Sequence, residues 1–149
     1  MGRGIGIVGA RVAALDSVVF VDPSEKSLKI AESTIDAWCD KEIGKERMTE
    51  TEKDMMLKRI SYGDTIKHLS DVDFVVEAAS EDFVIKKAIF QHLQSNTKDS
   101  AILATNTSSI SITKIAGCVP ERAHQVIGMH FMNPVPVMKL VEIINGLQT

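Results

Sequence analysis

Short apolar runs alternate along this chain with stretches of helical spacing, and that alternation constrains the fold more than any single residue. VVFVD (18–22), ISYGD (60–64), DFVVEAA (73–79), AILAT (101–105), QVIGMHF (125–131) and VMKLVEII (137–144) have the length and β-branched content of strands. Between them lie helical patterns. Ser24 is placed as the N-cap of a helix running to about residue 43, with Leu28, Ile35 and Trp38 near one face. Thr49 and Glu52 stand at capping-box spacing before a second helix, and a turn of helix follows near 66–69. A further helix begins after Ser80 with Phe83, Ile89 and Phe90 on or near one face, and NTSSISITKIAG is a polar loop that enters a short helix. Strands that alternate with helices predict a doubly wound α/β fold with a mostly parallel sheet. At 149 residues the chain is expected to be one domain, 1–149.

Composition excludes several functions. With 44% hydrophobic and 25% charged residues and a net charge of −3, the chain has no basic footprint for nucleic acid and no apolar run long enough to span a membrane. Cys39 and Cys118 lack metal-ligand spacing, so no metal site is expected and both read as reduced thiols. Arg11 interrupts the N-terminal apolar stretch too early for a signal peptide, and Gly6 stands where a myristoylation motif needs Ser or Thr. With no address seen, cytoplasmic, peroxisomal and mitochondrial compartments all stay open.

The segment 128–144, GMHFMNPVPVMKLVEII, carries His130, Asn133 and Glu142 inside otherwise apolar sequence. An unpaired polar group is costly in a dry interior, so His130 and Glu142 are expected to pair. A carboxylate on one ring nitrogen fixes the tautomer and raises the basicity of the other, as in a general base. The plainer reading is a satisfied core histidine beside an edge-strand glutamate.

Gly4, Gly6 and Gly9 match G-x-G-x-x-G, but that fingerprint needs a strand before it and a full helix after it. Taking Gly2 as the third glycine instead makes residues 3–15 a helix. Asp22 then falls 20 positions later, near the spacing of about 20 expected for an acid that binds the adenosine ribose. Its charge would repel a 2′-phosphate, which favours NAD over NADP. This register implies that the first strand and first two glycines are absent. Alternatively the glycines only let a helix pack closely.

In order, VVFVD, then VVEAASEDFVIKK with ATNTSSISIT, then GMHFMNPVPVMKLVEII together resemble the NAD-binding domain of the 3-hydroxyacyl-CoA dehydrogenases, including 3-hydroxybutyryl-CoA dehydrogenases. MGRGIG is similar to the second half of that family's glycine motif. The resemblance implies a Rossmann-like fold, NAD as cofactor, an acyl-CoA substrate and oxidation of 3-hydroxyacyl-CoA to 3-oxoacyl-CoA in fatty-acid β-oxidation. By position it implies that His130 is the catalytic base, Glu142 its orienting carboxylate and Ser108 the hydrogen-bond partner of the substrate oxygen. It places Gly2, Gly4, Asp22, Glu81, Lys86, Asn106, Ser108 and Asn133 at the cofactor. Without it, Ser108 reads as a helix cap and Lys86 as a solvated helix face.

The chain departs from that family at both ends. The expectation is a domain truncated at its N-terminus and lacking the following helical domain, which in the family closes the cleft and forms most of a homodimer contact. Leu15-Asp16-Ser17 replaces a glycine-containing turn, and Trp38 stands where the family contacts CoA. Two functions follow as expectations: a weak or inactive dehydrogenase, or a non-catalytic nucleotide-binding remnant that pairs with a full-length relative.

Overall fold

A computed structural model describes all residues, Met1–Thr149. It divides the chain into two compact units, Arg3–His68 and Met1–Gly2 with Leu69–Thr149.

The Arg3–His68 unit holds most of helix α1 (Gly2–Arg11), strand β1 (Val18–Val21), helices α2 (Glu25–Ile43) and α3 (Glu50–Leu57), strand β2 (Ile60–Gly63) and a 3-10 turn at Ile66–Leu69. β1 and β2 pair in parallel, with Val18 opposite Ile60 and Val21 opposite Gly63. The caps follow the sequence. Ser24 accepts the amide of Ser27, while Thr49 and Glu52 form a reciprocal capping box. Ile7, Ala10, Ile35, Cys39, Met48 and Met56 make an apolar core, against which Phe20, Trp38 and Ile60 pack. Gly6 lies where a Cβ would fall 2.0 Å from Cζ of Phe20, so the close approach of α1 to β1 requires glycine there.

α1 ends at Arg11, short of the predicted residue 15. Ala14 takes a left-handed φ of 50°, and the amide of Leu15 turns back to the carbonyl of Gly9, so the chain reverses to feed β1.

The second unit contains β3 (Phe74–Glu77), α4 (Phe83–Asn96), β4 (Ile102–Thr105), α5 (Ile112–Ala116), β5 (Val126–Phe131) and β6 (Val141–Asn145). Its sheet has the order β3-β4-β5-β6, with β3, β4 and β5 parallel and β6 antiparallel to β5. The predicted α/β class is observed, with the strands forming two ladders in place of one sheet. α4 crosses from β3 to β4 and buries Lys86, Phe90 and Leu93, a stripe at helical spacing, with buried Thr97 as its C-cap.

Two boundaries differ here. The last strand begins at Val141, not residue 137, because the amides of Val137 and Met138 bond back to the carbonyl of Pro134 in a turn and are lost to a ladder. A 3-10 helix at Pro120–Gln125, absent from the sequence reading, precedes β5. Its Arg122 is buried, donating to the carbonyl of Ala101 and the hydroxyl of Thr97. No helix of the chain is long and apolar enough to cross a membrane.

Candidate active site

Because β3, β4 and β5 run parallel, the segments leaving their carboxyl ends gather on one edge of the sheet, where open α/β folds take ligands. A cleft of about 350 Å³ opens there. Ala78 and Ala79 line it after β3, Asn106 and Ser108 after β4, and His130 to Asn133 at the end of β5, with Glu81 and Lys86 beside them.

His130 and Glu142 are direct cross-strand partners on β5 and β6. Nδ1 of His130 lies 2.8 Å from Oε2 of Glu142, so the expected pair forms. It is half-exposed, not buried, the side chains retaining 24% and 51% of their accessible surface. β6 presents most of its residues to solvent, and that relieves the desolvation cost that burial would impose. A carboxylate at Nδ1 takes the proton-bearing nitrogen and leaves Nε2 as the acceptor.

Asn106 begins the loop after β4. Its side-chain oxygen accepts the amide of Phe131 at 2.8 Å, which orients the amide group and turns its NH2 away as a donor. The same loop wraps around Glu81. One carboxylate oxygen of Glu81 accepts the hydroxyls of Thr107 and Ser109 and the amides of Ser108 and Ser109. Partial burial pushes the Glu81 carboxyl up, yet these hydrogen bonds and the nearby Lys86 ammonium outweigh it and hold the group at about 2. Ser108 is therefore tied to Glu81 and does not cap α5. That cap is Ser111, which accepts the amide of Lys114.

Lys86 overturns the reading of a solvated helix face. Only 1% of its side chain is exposed, and its ammonium lies 2.9 Å from both carboxylate oxygens of Glu77 and 3.5 Å from Glu81. Glu77, a residue the sequence reading passed over, ends β3 and also accepts the Thr105 hydroxyl at 2.7 Å and the Ala79 amide at 2.6 Å. Two signals pointed to this pair: a glutamate inside the apolar run DFVVEAA, and a lysine four and seven residues before Phe90 and Leu93.

Of the other expected residues, Asn133 lines the cleft, and Gly2 opens α1 in the same unit. Gly4 and Asp22 belong to the Arg3–His68 unit. Gly4 is inside α1, and no glycine of the chain has a positive φ. Asp22 follows β1 and accepts the amide of Ser24 at 2.8 Å. The cleft residues suit a nicotinamide nucleoside. Ala78 and Ala79 leave room beside the strand end, and Asn106, Ser108, Glu81 and Asn133 offer donors and acceptors for a carboxamide and sugar hydroxyls.

Parallel strands with a cleft at their carboxyl ends, lined by apolar side chains and a few polar groups, and a histidine–carboxylate pair beside it define a nucleotide-dependent dehydrogenase type of domain. The chain belongs to the 3-hydroxyacyl-CoA dehydrogenase NAD-binding domain family, whose model matches residues 1–149. NAD is the cofactor of that family. The chain is 42% identical over 149 residues to a 3-hydroxybutyryl-CoA dehydrogenase of Bradyrhizobium diazoefficiens, covering 100% of this chain and 50% of the relative. Its structure is similar to that of (S)-3-hydroxybutyryl-CoA dehydrogenase from Ralstonia eutropha, with a TM-score of 0.94, 43% identity and coverage of 100% and 52%. It is also similar to 3-hydroxybutyryl-CoA dehydrogenase from Escherichia coli K12, with a TM-score of 0.95, 40% identity and coverage of 100% and 31%. The chain spans about half the length of the first curated relatives it matches.

Proposed function

We propose that this domain serves the NAD-dependent interconversion of 3-hydroxyacyl-CoA and 3-oxoacyl-CoA, with His130 as general base. The observation that carries this reading is the 2.8 Å contact between His130 and Glu142 at the edge of the cleft. In the oxidising direction bound NAD+ would supply the acceptor for the hydride that leaves C3 of the substrate. The proton of the 3-hydroxyl goes to Nε2 of His130, and the C3–O bond becomes a carbonyl, so charge and electrons balance. Glu142, bonded to Nδ1, stabilises the imidazolium that results. Ser108, Asn106 and Asn133 line the cleft; in this reading the Ser108 hydroxyl would donate to the substrate oxygen, and the two asparagines would orient the carboxamide end of the cofactor.

In this reading Asp22 would accept the hydroxyls of the adenosine ribose, and Gly2 and Gly4 belong to the cofactor's glycine motif. The names of the relatives support an acyl-CoA substrate.

The test measures NADH binding and the reduction of acetoacetyl-CoA by the protein that carries this domain. His130→Ala should lower kcat by about 10²- to 10⁴-fold, the contribution of a positioned acid–base group, and leave NADH affinity near that of the unsubstituted protein. Unchanged kcat would remove His130 from the mechanism. NADH binding with no turnover in the unsubstituted protein would leave a nucleotide-binding module without catalysis.

A further inference from the structure

Glu77 does not line the cleft, yet it is hydrogen-bonded to three residues that do. Its side chain accepts the Ala79 amide next to Ala78 and both bonds from the Lys86 ammonium, and its backbone carbonyl accepts the amide of Asn106. Asn106 in turn holds Phe131, the neighbour of His130. Each carboxylate oxygen of Glu77 faces two donors: Oε1 the Ala79 amide and Lys86, Oε2 the Thr105 hydroxyl and Lys86. Both oxygens are engaged, and the buried carboxylate is matched by the Lys86 ammonium in an ion pair.

We propose that Glu77 is a positioning residue of the cofactor cleft that fixes Lys86 and sets the charge of the cluster Glu77–Lys86–Glu81. This rests on the reading that the nicotinamide end of NAD occupies the cleft. Alone, a buried lysine ammonium beside that end would disfavour the oxidised nicotinamide, which is cationic, relative to the reduced one, which is neutral. Glu77 cancels the lysine. With Glu81 held ionised, the cluster keeps one negative charge in excess, and the oxidised form is favoured. A pair that served only folding would shape the cleft equally for both forms of the cofactor.

The experiment is a titration of NAD+ and NADH against the folded protein and its variants, followed by calorimetry or by NADH fluorescence. Glu77→Gln takes the cluster to neutrality, and the ratio Kd(NAD+)/Kd(NADH) should rise about fivefold, the effect of one partly screened charge. Lys86→Met takes it the other way and should lower the ratio by a similar factor. The double variant restores the single negative charge, and its ratio should return to that of the unsubstituted protein. If only one single variant folds, its ratio decides. An unchanged ratio in a folded single variant overturns the proposal. It is overturned as well if neither single variant folds while the double variant folds and binds NADH normally, because the pair is then structural. Failure of the parent reading shows earlier, as an unsubstituted protein that binds neither form, and removes both.

Discussion

The two units of this chain bury different chemistry. In Arg3–His68 the interior is apolar, closed by Ile7, Ile35, Cys39, Met48 and Met56, and its charges stay at the surface. In the other unit the interior also takes Glu77, Lys86, Thr97, Thr105, Thr107 and Arg122, which are all of the buried polar and charged residues. Each unit contains a lysine between two carboxylates. Lys53 meets Asp36 and Asp40, whose side chains are more than half exposed. Lys86 meets Glu77 in nearly complete burial. A surface unit of this kind adds little to stability, whereas a buried one leaves an uncompensated charge if either partner is removed. Four of these six lie toward the cleft end of the strands, while Thr97 and Arg122 meet at the start of β4. Glu77, Thr105 and Thr107 stand at or just beyond the carboxyl ends of β3 and β4.

The largest effect that would break this contrast comes from the lysines. Lys86→Met should cost about 3–5 kcal/mol, because Glu77 is left buried and unpaired, and chemical denaturation reads the loss as a lowered midpoint. Lys53→Met should move the midpoint far less, since water replaces its partners. Equal losses would mean that burial does not separate the two clusters.

A second contrast concerns packing in the apolar unit. Gly6→Ala forces a methyl group onto the Phe20 ring, itself stacked on Tyr62 with centroids 5.6 Å apart, so the overpacking cost of roughly 1–3 kcal/mol should exceed the helix-propensity gain of about 1 kcal/mol. Gly9→Ala, in the same helix, places its Cβ at ordinary contact distances of 3.4 and 3.5 Å from Leu15 and Val18. It should be neutral or stabilising by about 0.4–1 kcal/mol. Thermal midpoints moving in opposite directions would confirm that only Gly6 is required by packing.

These cases also show what the sequence could and could not reveal. His130 and Glu142 were legible because a polar residue in an apolar run has few ways to be satisfied, and a pairing across two adjacent strands is the nearest of them. Glu77 carried the same signal. It was hidden because its partners Lys86 and Thr105 come from a helix and a strand 9 and 28 residues away, contacts that no local pattern prints. Helix starts were legible at Ser24 and Thr49, where side-chain oxygens compete for the first free amides. The end of α1 and the start of β6 were not, because each is set by a backbone reversal at Ala14 and at Pro134–Met138, inside runs whose composition still favours the regular element. The division of the strands into two ladders rests on nonlocal pairing and left no mark in the strand patterns.

The smallest expected effect is pH-dependent and separates two carboxylates that each gather nearby donors. In the apolar unit, Glu52 is lowered by the amide of Thr49 and then by its hydroxyl, at an exposed helix start. In the other, burial works against Glu81, but the donors of 107–109 and Lys86 win and hold it at about 2. A carboxyl whose folded pKa lies below its unfolded value contributes stability that is complete above the unfolded value and is lost as pH falls toward the folded one. The stability difference between the unsubstituted protein and Glu81→Gln should therefore stay level from pH 7 to about pH 5. It should shrink below an unfolded value of roughly 4.3 and vanish near pH 2, where the carboxylate that gathers the loop is protonated. Urea midpoints across that range read the difference, and carboxyl carbon NMR reads the midpoint of Glu81 directly. A Glu81 titration in the ordinary carboxylate range would show that the amides and hydroxyls of Thr107, Ser108 and Ser109 do not close on it in solution. Ser108 would then have to be positioned by the substrate or cofactor itself.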